Sequence, residues 1–226
     1  IHFIDEVRGI DIVLMVAFHA FYTIGWLYQV EWGRTLFRFF DPAAPFFAGL
    51  FIFICGISCH LSHSNLRRGL LLAGVSIVIS AFLWFFMRSE MIWFGILHLL
   101  GVCMMLFPLF KRLPVWALAV LGVAFVALGA WFETFYIPVK FLFPLGLRAQ
   151  GFYCGGDYFP LLPGFGWFLL GAVIGRTAYR KKQSLLPRVN AANPVIRFFS
   201  FCGRHSLLIY MLHQPVLTIG TILIFG

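Results

Sequence analysis

The chain has 226 residues, of which 62% are hydrophobic and only 11% are charged. A water-soluble domain carries about a quarter of its residues as charge, so this composition excludes one and points to an all-α, polytopic membrane helix bundle. The net charge of +9 is no sign of nucleic-acid binding, because the basic residues sit in short loops between apolar stretches, where membrane orientation accounts for them.

Crossing the hydrocarbon core takes roughly 17–25 apolar residues as helix. Stretches of this kind run over residues 12–30, 43–59, 69–87, 91–110, 114–132, 158–175 and 206–225. They predict about seven transmembrane helices in a single domain covering residues 1–226. Residues 135–146 are apolar but short and broken by Pro138 and Pro144, so a re-entrant or interfacial piece is expected there. Residues 194–201 are expected to lie on the membrane as a short amphipathic segment. The chain opens on Ile1 without a Met, so native residues are expected to precede it. The first apolar run reaches Val30 without a small-residue cleavage site, so no cleavable signal is expected.

Charge in the loops orients the bundle. Of the 17 Lys and Arg, Arg8, the loops after the even-numbered stretches and the segment before the last one hold all but five. Those five (Arg34, Arg38, Arg88, Lys140 and Arg148) share the opposite loops with the acids Glu31, Asp41, Glu90, Glu133 and Asp157. The positive-inside rule then predicts a cytoplasmic N-terminus and an external C-terminus.

Three histidines, His19, His98 and His213, each fall in a different apolar stretch. A bilayer core offers no water to an ionisable group, so such residues are read as functional by default. The bland alternative is a structural histidine bonded to a neighbouring carbonyl. His19 follows Arg8 by eleven positions, about 16 Å along a helix at ~1.5 Å per residue, so a mid-membrane imidazole and an edge cation share one rod. Arg8 is either a snorkelling anchor or a hook for an anionic group such as phosphate. Asp5 and Asp11 are expected to complement the dipole at the start of the first helix. Gly56 and Ser58 are small enough to let helices pack closely. His60 and His63 read as interfacial polar residues, since neither Glu nor Cys completes a metal set beside them. Glycines on either side of His98 (Gly95 and Gly101) make room beside it. Asp157 is expected to cap the sixth helix, and Pro215 to kink the last one just beyond His213. The scattered cysteines Cys55, Cys59, Cys103, Cys154 and Cys202 form neither a C-x-x-C pair nor a disulfide framework and read as small core residues.

Several runs carry a resemblance. They are Asp5-x-x-Arg8-Gly9 leading to M-V-A-F-His19, Asp41-x-x-x-Pro45 followed by F-I-F-I-C-G-I-S, the block G-I-L-H-L-L-G around His98, D-Y-F-P-L-L-P-G-F-G from Asp157, and the closing H-S-L-L-I-Y-M-L-H-Q-P. In these the chain resembles the heparan-α-glucosaminide N-acetyltransferase catalytic family, above all its small bacterial members. The Arg8-to-His19 spacing is similar to that of the wider membrane acyltransferases that decorate cell-surface sugars. Animal members carry Asn where His19 stands and place a histidine before a W-x-G in the loop after the first span. Here Glu31-Trp32-Gly33 occupies that loop without a histidine.

The resemblance implies a multi-pass enzyme of the bacterial cytoplasmic membrane that moves an acetyl or other acyl group. The donor would be cytoplasmic acyl-CoA, used as co-substrate with no metal. The acceptor would be an amino or hydroxyl group of an extracytoplasmic sugar. Arg8, Arg67 and Arg68, with Asn65 and Arg204 at the same face and the 176–182 basic cluster, would hold the coenzyme. His19 would act as general base or as acyl carrier, with His98 or His213 orienting it or polarising the thioester carbonyl, and Asp41 and Asp157 on the acceptor side. A homo-oligomer is compatible with this reading. Two other classes fit the same residues. A transporter or flippase for an anionic metabolite would also place polar groups at the midplane, and transport without chemical change would identify it. A haem-binding redox protein would use the histidines as axial ligands, and a Soret band would identify it.

Overall fold

The computed structural model describes residues 2–62, 64–154, 157–181, 183–184 and 193–225, and these contain helix and loop with no strand. His63, Lys182 and Arg188, which the charge pattern puts at the cytoplasmic face, lie outside the described residues. In chain order the helices are α1 (His2–Tyr22), α2 (Glu31–Phe40), α3 (Ala44–Leu61), α4 (Asn65–Phe86), α5 (Ile96–Phe110), α6 (Val115–Phe132), α7 (Leu161–Thr177), α8 (Pro194–Arg204) and α9 (Ser206–Phe225). A π-helical turn, Thr23–Leu27, extends α1.

Five helical stretches, built on α1, α2 with α3, α4, α6 and α9, are long and apolar enough to cross a membrane, while α5 and α7 are apolar but shorter. Each of the seven predicted stretches overlaps an apolar helix, five of them in stretches long enough to cross, and the chain is an all-α membrane bundle. The boundaries move for local reasons. α1 begins at His2, well before residue 12, where its first turns pack against α8 at Gly9 and carry an Asp5–Arg8 pair at 3.9 Å. Asp11 is therefore interior to α1, and only Asp5 stands in the first turn to meet the dipole. α5 starts at Ile96, because Gly95 is extended (φ −89°, ψ −175°) and ends the irregular stretch before it. α7 starts after Pro160, which has no N–H to give a preceding turn. Residues 135–146 are irregular apart from the 3-10 turn Phe143–Leu145.

The chain divides into two compact units, residues 1–51 with 181–226, and residues 52–180. In the first, α8 lies against α1 at close range. A Cβ on Gly9 would coincide with the Phe199 carbonyl, and one on Gly203 with the Asp5 carbonyl. Ser200 Oγ donates to Glu6 Oε1 at 3.3 Å across the same contact. α2, an element absent from the sequence expectation, folds onto the π turn. Arg34 Nε donates to the Gly25 carbonyl at 3.0 Å, and Phe37 stacks on Phe18 at 4.8 Å. α9 meets α1 through His213 and His19, and Tyr28 through Phe225.

The second unit holds a close-packed core of Leu99, Cys103, Phe107, Leu118, Phe168 and Leu169, all essentially fully buried. Small residues again set helix distance: a Cβ on Gly56 would coincide with the Phe168 carbonyl, as expected where helices associate in lipid through backbone approach. The loop ahead of α7 is held by Tyr158 Oη donating to the Phe143 carbonyl at 2.6 Å and by Phe159 N–H donating to the Phe94 carbonyl at 2.9 Å.

Candidate active site

In the first unit, the aromatic run around His19 and the last helix bring two imidazoles together. The His19 and His213 rings lie 4.9 Å apart between centroids, tilted by 58°. Phe18 meets His19 edge-on at 5.9 Å, and Tyr210 flanks His213 at 5.3 Å. His213 Nδ1 lies against the Tyr210 carbonyl one turn back. A carbonyl only accepts, so Nδ1 carries hydrogen, and Nε2 of the neutral ring presents its lone pair. Below His19 the helix changes pitch: Thr23, itself buried, donates its hydroxyl to the His19 carbonyl at 2.9 Å where the π turn begins. Single π turns recur at functional sites because they re-aim the side chains beside them. A Thr four residues after a histidine in an apolar run was the available sign of this feature, and it is too common a spacing to read.

Arg8 is part-buried and pairs with Asp5 at 3.9 Å. Asp11, one turn on, is only 3% exposed. Asp41 opens the exposed turn Asp41–Ala43 at the end of α2. Arg204 is exposed at the end of α8.

His98, Asp157, Asn65, Arg67 and Arg68 belong to the second unit. His98 has both ring nitrogens engaged. Gly95 N–H donates to Nδ1 at 3.2 Å, so the neutral ring carries its proton on Nε2, which faces Ser80 Oγ at 3.3 Å. The Ser80 hydroxyl in turn donates to the Ile92 carbonyl at 2.7 Å. This chain pins the irregular stretch before α5 to α4. Asp157 does not cap the helix that follows it, whose N-cap is Pro160. Its Oδ1 instead accepts from Ile96 N–H at 3.4 Å, at the start of α5. Ser80→Ala is expected to leave both the His98 Nε2–H and the Ile92 carbonyl without a partner. It should cost about 1–3 kcal/mol of stability, read as a lowered melting temperature in detergent, and Ser80→Thr should restore it.

Asn65 is buried at the first position of α4, and its Nδ2 donates to the Cys59 carbonyl at 2.7 Å, closing the end of α3. Arg67 and Arg68, one turn on, are exposed. The structure thus brings His19 and His213 together, and gives His98 and Asp157 a common place at the α5 N-terminus. Among the described residues, no group of three or more His, Cys, Asp or Glu side chains comes together as a metal-ligating set.

Comparison with known proteins bears on the chemistry. The family described as heparan-alpha-glucosaminide N-acetyltransferase, catalytic, matches residues 1–215. No curated protein and no solved structure matches the chain. Together with the apolar helices, the match over nearly the whole length makes this a multi-pass membrane acetyltransferase, and the chain belongs to the heparan-alpha-glucosaminide N-acetyltransferase catalytic family.

Proposed function

We propose that the chain is a single acyltransferase domain that passes an acetyl group from cytoplasmic acetyl-CoA to an amino or hydroxyl group of an extracytoplasmic sugar. The observation that carries this reading is the pairing of His19 with His213, two imidazoles on helices far apart in sequence, 4.9 Å from ring to ring. Arg8 sits about three turns down the helix from His19, on the same face, and supplies a cation for a polyphosphate. Arg204, in the same unit, is exposed and adds positive charge for that group, while Arg67 and Arg68, exposed beside Asn65, are basic residues of the second unit.

In the proposed reaction the acceptor's nitrogen or oxygen attacks the thioester carbonyl carbon and gives up its proton to His19. The carbon–sulfur bond then breaks, and the thiolate leaves as CoA once it has taken a proton. With its Nδ1–H committed to the Tyr210 carbonyl, His213 keeps an Nε2 lone pair available, and its ring lies 4.9 Å from that of His19. In the proposed reaction it would accept the His19 N–H when substrate is bound, which leaves the other His19 nitrogen to act as base. His98, with both nitrogens engaged, is assigned a positioning role at the start of α5. Asp41 and Asp157 are assigned to the acceptor side.

The test uses purified protein in lipid nanodiscs with labelled acetyl-CoA and amino- and hydroxy-sugars. Release of free thiol matched by acetylated sugar in the mass spectrum supports the proposal. Failure of every acceptor, with labelled acetyl-CoA crossing the bilayer of sealed vesicles unchanged, overturns it in favour of transport. Orientation has its own check. In intact cells a membrane-impermeant maleimide should add to Ser89→Cys, on the predicted outer side, and should add to Arg112→Cys only after permeabilisation. The reverse pattern refutes the cytoplasmic N-terminus.

A further inference from the structure

Among the described residues, Asp11 is the only Asp, Glu, Lys, Arg or His in the buried class, at 3% exposed. Neither of its carboxylate oxygens has a hydrogen-bond partner among the described residues. Buried polar groups are almost always satisfied, and an acid inside an apolar span is costly enough to mark a site. The dipole account does not apply, because Asp11 lies in the interior of α1, past its first turn. Its place on the rod is informative. It follows Arg8 by three residues, so the two are neighbours on the helix surface, and it precedes His19 by about two turns.

In the proposed function, on which this inference rests, a ligand with its phosphates at Arg8 and its thioester at His19 runs along this stretch of α1. The part of an acyl-CoA that joins those ends is the pantetheine arm, whose polar groups include amide N–H and hydroxyl O–H donors. Asp11 offers two oxygens that accept and lack donors. We infer that Asp11 is a binding residue for the pantetheine arm, its carboxylate oxygens accepting hydrogen bonds from the arm's amide or hydroxyl groups. The unpartnered carboxylate is then a group kept ready for a ligand, at a standing cost to the empty protein.

That cost makes the test two-sided. Three proteins in nanodiscs, the wild type, Asp11→Leu and Asp11→Asn, are titrated with CoA and with adenosine bisphosphate, the nucleotide half that lacks the arm. Melting temperatures are recorded without ligand. Asp11→Leu should melt higher than the wild type, bind CoA about tenfold more weakly and bind adenosine bisphosphate unchanged. Asp11→Asn, which keeps an accepting oxygen, should recover most of the CoA affinity. Should Leu prove too large for the site, Asp11→Ala carries the same comparison. Unchanged CoA affinity in Asp11→Leu or Asp11→Ala overturns the inference and leaves the acetyltransferase reading standing. An equal loss for CoA and adenosine bisphosphate also overturns it, since that reports a general distortion of α1. A wild-type protein that binds no CoA overturns both.

Discussion

His19→Ala is expected to lower acetyl transfer by about 10²–10⁴-fold, the usual contribution of a positioned general base, while acetyl-CoA still binds. The split follows from where the residue stands. Arg8 lies about three turns away on α1, so removing the imidazole leaves that cation in place, and what is lost, in the proposed reaction, is the group that takes the acceptor's proton. His213→Gln should fall in the same direction by less, because in the proposed reaction His213 acts through His19. Its ring lies 4.9 Å from His19, and its Nδ1 is held by the Tyr210 carbonyl. Stopped-flow thiol release with saturating acetyl-CoA measures both. Near-full turnover of His19→Ala would remove this residue from the chemistry and return the pair to a structural role.

Gly9→Val and Gly203→Val are expected to be the most damaging substitutions to the first unit. Each added Cβ would coincide with a backbone carbonyl of the facing helix, at Phe199 and at Asp5. A backbone carbonyl cannot rotate aside as a flexible side chain does, so α1 and α8 must separate. Overpacking of this kind costs about 1–3 kcal/mol or more, which exceeds the ~1 kcal/mol that replacing a helical glycine can return through backbone entropy. Separation would also break the Ser200-to-Glu6 hydrogen bond, which spans the same contact. Gly220→Ala in α9 is the matched control, because nothing lies within 4 Å of its Cβ position. It should melt at or slightly above the parent temperature. Melting curves in one detergent compare all three, and an unchanged curve for Gly9→Val would show that the α1–α8 contact is not held at backbone distance.

Asp157 shows how far local rules reach. From spacing alone it belongs to the helix that follows it, yet its Oδ1 accepts from Ile96 N–H at the start of α5, far away in sequence. A cap is chosen by which free N–H groups lie within reach, and in a loop that depends on the path of the chain. His98 is a similar case. It is visible as a histidine in an apolar run, but its engagement with Gly95 and Ser80 depends on α4 lying alongside. Asp11 reads as a dipole partner only if the helix starts where the apolar run starts. α1 in fact runs back to His2, packed on α8 at Gly9, and Asp11 is an interior residue.

Composition and run length were enough to determine the bundle class, the positions of the apolar helices and the histidines worth watching, because lipid requires every span to satisfy its own backbone as a helix. That requirement is local and can be read from one stretch at a time. Which imidazole faces which, which carboxylate is left without a donor and which glycines hold two helices together were decided only by tertiary structure. Those depend on contacts between residues as distant as His19 and His213, and no property of either stretch alone encodes the meeting.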